Sequence, residues 1–318
     1  MKPGQPILTK QRENTVRSHW GRAIGLGAIG YFLTSAILVA DNTKPISAEI
    51  KYLFRNPAVT VWATLIAMLV AACAGLLPAL IAALREYPLP SRRARWKVRF
   101  LGGLALLLFG VFILSHLSVT DDIEMPVAGH SAKVMSITVV IFLFFLAVLY
   151  GMCAVAAAVD NLDENRPAAD RISDFLKLSS SLQWYVLIAG LIVGGATLTT
   201  GTLQTTVSSL NPWTRTTDLI ALLSPMTTLA YGLFGSAVVG LYYIPVYTAL
   251  RSAGMKLRDD ILPVNKDTDD LISWYERRTK LETLLGLNKD WFDSLKTGFV
   301  LLAPLAGSAI SLLMGKAQ

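Results

Sequence analysis

What most constrains this chain is a succession of long apolar runs. Six of them recur, at about 22–40, 58–84, 100–119, 134–159, 184–202 and 219–250. The first five are close to the 17–25 residues with which an α-helix crosses a hydrocarbon layer about 30 Å thick, and the sixth is longer. In such a layer backbone N–H and C=O groups can bond only inside a helix or around a closed barrel, and these runs are much longer than the roughly ten residues of a barrel strand. The expected fold class is therefore all-α, a polytopic integral membrane helix bundle with six transmembrane helices. A last apolar stretch at 298–315 is short and contains Pro304. It is expected to form either a marginal seventh span or a helix tucked against the bundle.

Charge is distributed accordingly. Only 16% of the 318 residues are charged and 53% are hydrophobic, against a charged share of about 25% in soluble domains. The charges collect between the runs, which divides the chain into a basic N-terminus (1–21), a six-span region (22–250), a polar helical segment (251–295) and the C-terminal apolar helix (296–318). The basic opening is long for a signal-peptide n-region, and residues 38–40 make a poor cleavage site, so the first run is expected to be a retained span. Between the first two runs, Ile46, Ile50, Leu53 and Phe54 recur at helical spacing beside Lys51 and Arg55, the pattern of a helix lying in the interface. Asp121, Asp122 and Glu124 mark a short loop that makes the third and fourth runs a hairpin. The sixth run exceeds the hydrocarbon thickness and must tilt, kink or project, with Pro225 and Pro245 as natural kink sites.

Of the 29 Lys and Arg, 22 fall on one side of the membrane and 5 on the other when the N-terminus is placed inside. Positive charge is retained on the cytoplasmic side, so an N-inside orientation is expected, in a bacterial inner membrane. Trp20, Trp62, Trp96, Trp184 and Tyr185 lie near run ends, where amphipathic rings favour the interface.

The runs themselves carry little chemistry. All 22 Asp and Glu lie outside the six span cores, which argues against a proton-coupled pump and against a voltage sensor. Cys73 and Cys153 sit inside apolar runs and are read as packing residues. His116 and His130 accompany the acidic loop without a metal-ligand spacing. The signatures of phosphate loops, zinc proteases and serine hydrolases are all missing from the sequence. No catalytic residue, cofactor, metal or nucleic-acid partner is expected.

Two polar faces do enter the membrane. Gly195, Thr199, Thr202 and Thr206 share one helical face, and Ser224, Thr228, Tyr231 and Gly235 repeat its spacing on the next span. Small and hydroxyl residues permit close helix approach, and equally line an aqueous path; Gly190 and Gly194 add a G-x-x-x-G that favours packing. In the polar segment, Asp267 or Thr268 can cap a helix reaching about Leu285, with Gly286 as its stop and Leu271, Trp274, Leu281, Leu284 and Leu285 as an apolar stripe. Arg277, Arg278 and Lys280 decorate that helix. With Arg92, Arg93 and Arg95 in the loop after the second run, they are candidates for a phosphate-rich ligand or lipid headgroups.

The tail carries Leu284-Leu285-Gly286-Leu287, Trp291-Phe292 and 301–308 (LLAPLAGS), ending Leu312-Leu313. It resembles the closing segment of small bacterial membrane effectors of antiphage defence systems. The resemblance implies an oligomer that senses a cytoplasmic signal, commonly a nucleotide, and opens or disrupts the inner membrane, although no soluble sensor domain is recognisable. The leading expectation is thus an oligomeric channel or pore-type effector, with the lipid bilayer, further copies of the chain and a cytoplasmic signal molecule or protein as partners. A non-conducting scaffold or assembly factor and a small-molecule transporter are the alternatives.

Overall fold

The computed structural model describes residues 7–39, 57–86, 130–162, 165–210, 225–263 and 271–288, together with Gly103, Leu107 and Gly110. Six helices lie among them: α1 (Ile7–Val39), α2 (Pro57–Glu86), α3 (His130–Val159), α4 (Ala168–Leu210), α5 (Pro225–Ile261) and α6 (Leu271–Leu284). No strand occurs among the described residues. Five of the helices, α1 to α5, are long and apolar enough to cross a membrane by length and composition. The described residues are accordingly all-helical, with the make-up of an integral membrane protein.

Local sequence explains the helix ends. Pro57 and Pro225 open α2 and α5, a position where the missing N–H has no intrahelical role and the fixed φ is already helical. Pro78 and Pro245 lie inside α2 and α5; each removes one ladder bond, which long spans tolerate. The side-chain amide of Asn161 donates to Ala157 O at 2.7 Å and closes the end of α3. At the end of α6, Gly286 takes φ +68°. Its N–H donates to Thr283 O at 3.1 Å while Leu287 N–H donates to Glu282 O at 2.9 Å, the paired bonds of a glycine-terminated helix.

Apolar runs and helices do not end together. The second and fourth runs agree with α2 and α3 within a few residues. However, α4 begins at Ala168, well before the fifth run opens at Trp184, and α5 continues past Leu250 to Ile261. Hydropathy marks where a helix leaves lipid, and a helix whose next turns still find partners continues. Of the third run, Gly103, Leu107 and Gly110 are helical. The remainder of that run, the interfacial stretch at 46–55, the His116 and acidic-loop cluster and the stretch at 298–315 lie outside the described residues.

The described residues divide into two compact units. In the first, α1 lies along α2 through small residues. A Cβ placed on Gly75 would come within 3.0 Å of Ala23 O, one on Gly27 within 3.2 Å of Ala71 O, and one on Gly30 within 3.0 Å of the Ala74 Cβ. Backbones can approach this closely only where side chains are this small. The unit's core gathers Trp62, Ile66 and Ile137 with Leu38, Val70, Ile141 and Leu203 around them. Trp62 is thus a core residue and not an interfacial ring.

In the second unit, the latter part of α3 meets α4 at Gly151 and Tyr185, and Val148, Met152 and Val155 of α3 and Tyr185 and Ala189 of α4 are buried. Gly151 provides the space for the Tyr185 ring, which occupies the volume a Cβ there would need. Tyr185, expected at the membrane interface, is fully buried. Gly235 of α5 plays the same part toward Val193 of α4, whose Cγ1 lies 2.8 Å from where a Cβ would stand.

Candidate functional site

The two polar faces resolve into individually placed side chains. Thr202 donates back to the carbonyls of Leu198 (3.1 Å) and Thr199 (3.0 Å), and the neighbouring Thr197 donates to Val193 O at 2.8 Å. Ser236, beside Gly235, does the same toward Gly232 O at 2.8 Å. Such bonds satisfy a hydroxyl within its own helix and keep a polar residue tolerable at membrane depth. Gly195, Thr199 and Tyr231 are partly buried and Thr228 is buried. Gly190 and Gly194 are buried as well. Thr199 and Thr202 belong to the first unit, whereas Gly195, Thr228, Tyr231 and Gly235 belong to the second. The side chain of Thr206, and Ser224 altogether, lie outside the described residues.

A second arrangement is built from charge, at the polar ends of α4 and α5. The apolar segment of α5 with its extension, Thr228–Ile261, counts 34 residues. At about 1.5 Å per residue it is far longer than a hydrocarbon layer of about 30 Å. One end must project, and it is the end bearing Arg251, Lys256, Arg258, Asp259 and Asp260. The same reasoning applies to the start of α4, with Asp170, Arg171, Asp174 and Lys177.

These projecting turns and α6 form a polar base within the second unit. Arg171 of α4 pairs with Asp260 of α5 at 2.7 Å. Arg258 of α5 reaches Glu282 of α6 at 2.7 Å and its neighbour Asp259 at 2.8 Å. Arg278 of α6 donates to Asp259 at 2.7 Å, to Leu262 O at 3.4 Å, and lies 3.7 Å from Glu282. Two guanidiniums and two carboxylates thus share partners in a closed square. Arg171, Arg258 and Arg278 each keep only 16% of the side chain exposed. Trp274 adds a ring under Arg278, 5.1 Å from guanidinium carbon to ring centroid, and its N–H donates to Pro263 O at 3.2 Å.

Below this square the base is apolar. Leu285 and Leu287 are buried, and Leu287 with Phe175 of α4 closes over Gly254 of α5. This floor and the square above it give α6 its register, antiparallel to α5. The expected stripe on α6 is only partly the docking face: Leu271 and Leu284 are exposed, while Trp274, Arg278, Leu281, Glu282 and Leu285 turn inward to different degrees. Spacing alone could not identify this mixed face, because Arg278 and Glu282 count as polar in any hydropathy pattern.

The basic ligand candidates therefore separate. Arg278 is held by Asp259 and Glu282, whereas Arg277 and Lys280 are exposed on the same helix. Arg92, Arg93 and Arg95 lie outside the described residues. Asp259, Asp260, Glu282 and Arg258 were not singled out by the sequence. Their signal was the density of opposite charges directly after an apolar run, and it named no pairing. Compared with protein-family models, characterised proteins and solved structures, the chain matches none.

Proposed function

We propose that this chain is a pore-type membrane effector, acting as an oligomer and switched from its polar base. The supporting observation is the continuity of α5. One unbroken helix carries Thr228, Tyr231 and Gly235 near one end and Arg258, Asp259 and Asp260 near the other. A continuous helix couples its charged end to its hydroxyl face without a separate linker, with Pro245 between them as the point where it can bend. The 22-to-5 asymmetry of Lys and Arg supports a cytoplasmic position for the base. The tail's resemblance supports a setting in antiviral defence at a bacterial inner membrane. Arg277 and Lys280 are exposed where a phosphate-bearing signal molecule or anionic headgroup could meet them.

A second reading, a non-conducting scaffold holding a cytoplasmic partner, is favoured by a different observation. Gly235 fits over Val193, and Thr197, Thr202 and Ser236 satisfy their hydroxyls within their own helices. Those are the uses that helix packing alone makes of small and hydroxyl residues.

Ion flux from liposomes containing the purified protein tests the proposal. Wild type is compared with a variant carrying Thr199→Leu and Thr228→Leu at matched insertion, with and without cytoplasmic extract. Flux that the variant loses supports a path along these faces. No flux from wild type in either condition, with recovery of a specific soluble partner in a pull-down, would put the scaffold in its place.

A further inference from the structure

We propose that α6 is a hinged latch, anchored at its Leu287 end in the apolar floor of the base and clamped along its length to α5 by charge. Release of the clamp then frees α6 while the spans stay folded. The proposal stands on the geometry of the base and does not depend on whether the spans conduct.

The two ends of α6 are held by different forces. At the anchor, Leu285 and Leu287 are buried, and Leu287 and Phe175 meet the backbone of Gly254. Between the two anchoring leucines stands Gly286, whose φ of +68° ends the helix. Along the helix itself none of the 14 residues is buried. Its ties to α5 and the two residues after it include Arg258–Glu282, Arg278–Asp259, Arg278 to Leu262 O and Trp274 to Pro263 O. At the far end Leu271, Ile272 and Tyr275 are 67%, 75% and 66% exposed, so little apolar surface fixes that end to the base.

Magnitudes decide how such a helix behaves. Burial of large apolar side chains contributes about 1.5–3 kcal/mol each, whereas partly exposed ion pairs contribute about 0–1 kcal/mol each and weaken with salt. The anchor is therefore much stronger than the clamp. At 14 residues α6 lies at the limit of about 12–15 below which even Ala-rich helices are marginal in water, and its Ile, Trp, Tyr, Ser and Thr make it a weaker helix former than those. Once undocked, α6 loses its backbone hydrogen bonds, and its amides exchange with solvent. The square is also closed, in that Asp259 and Glu282 each face both arginines. Neutralising both carboxylates removes every charge partner of Arg258 and Arg278 within it and leaves two like charges together.

Hydrogen–deuterium exchange of the full chain in lipid nanodiscs tests the latch, comparing wild type with Asp259→Asn/Glu282→Gln. The expected result is roughly tenfold faster exchange over residues 271–284 and over the amides of Leu285 and Leu287 that bond to α6 carbonyls, with α3 and the spanning parts of α4 and α5 at wild-type rates. Raising KCl shifts the wild type in the same direction, which keeps the test decisive if the variant does not fold. Arg171→Gln, which removes the α4–α5 pair and no α6 contact, leaves exchange over 271–284 unchanged. Unaltered exchange of α6 in the double variant, or in the wild-type salt series where that alone is accessible, overturns the proposal. So does an increase that α4 and α5 share in full.

Discussion

The ring of Phe175 rests on the backbone of Gly254, with Cζ 2.7 Å from the position a Cβ would take. This contact joins the start of α4 to the charged end of α5, and a Leu287 methyl lies 2.8 Å from the same position. A leucine methyl can rotate away, whereas a buried ring cannot. Gly254→Val is expected to force Phe175 off its seat at a cost of about 1–3 kcal/mol. Gly254→Ala brings the same Cβ against the ring but no further methyls, and alanine recovers about 1 kcal/mol of helix propensity over glycine, so it is expected to lose less than Gly254→Val. Thermal unfolding of both variants in detergent, read against wild type, checks the order. Equal midpoints for all three would show that the ring is not seated there.

Gly151 and Tyr185 make the stronger case, since the ring occupies the volume of a Cβ and Tyr185 is fully buried. Neither a mid-helix backbone nor a fully enclosed ring can yield cheaply. Gly151→Ala is therefore expected to destabilise by about 1–3 kcal/mol despite alanine's better helix propensity. The companion Gly151→Ala/Tyr185→Leu is expected to recover part of the loss. A midpoint for the single variant at or above wild type would contradict this packing.

On α1 and α2 the glycines fall into two kinds. Gly75 faces Ala23 O at 3.0 Å, whereas a Cβ on Gly25 would meet nothing within 4 Å. Gly75→Val must push backbone against backbone and is expected to loosen α1, making it more accessible to limited proteolysis. Gly25→Val is expected to change stability by no more than about 0.5 kcal/mol. If the two substitutions behave alike, the small-residue contact between α1 and α2 is not what holds α1.

Arg171 and Asp260 tie α4 to α5 at 2.7 Å, with Asp260 38% exposed. Solvent on the carboxylate side limits the pair to about 1 kcal/mol or less. Asp260→Asn is expected to lower the unfolding midpoint slightly at low ionic strength, with the difference shrinking as salt shortens the Debye length from about 10 Å at 0.1 M to about 3 Å at 1 M. A difference that persists at 1 M KCl would assign the effect to something other than charge.

Much of the local structure was legible in sequence, and the reasons are specific. The second and fourth apolar runs became α2 and α3 because backbone in hydrocarbon has no partner except its own helix. Gly286 was readable as the stop of α6 because φ +68° is a conformation glycine adopts without a Cβ penalty. The candidate site was less legible. Arg278 carries the same charge as Arg277 and sits one residue away, yet one is held by Asp259 and Glu282 while the other faces solvent. Trp62 and Tyr185 follow the same logic, since nearness to a run end does not reveal which side of a helix faces protein.

The sequence by itself determined that this chain is helical, that several of its helices carry segments apolar enough to cross a membrane, and that its charges lie between those apolar segments. These properties depend on each segment's own composition and period. Only the tertiary structure decided that α4 and α5 run on beyond their apolar segments, that Gly151, Gly235 and Gly254 are seats for Tyr185, Val193 and Phe175, and that Arg258 and Arg278 share Asp259 and Glu282. Each of these depends on which residues distant in the chain meet across a helix pair, and no periodicity within one segment encodes its partner in another.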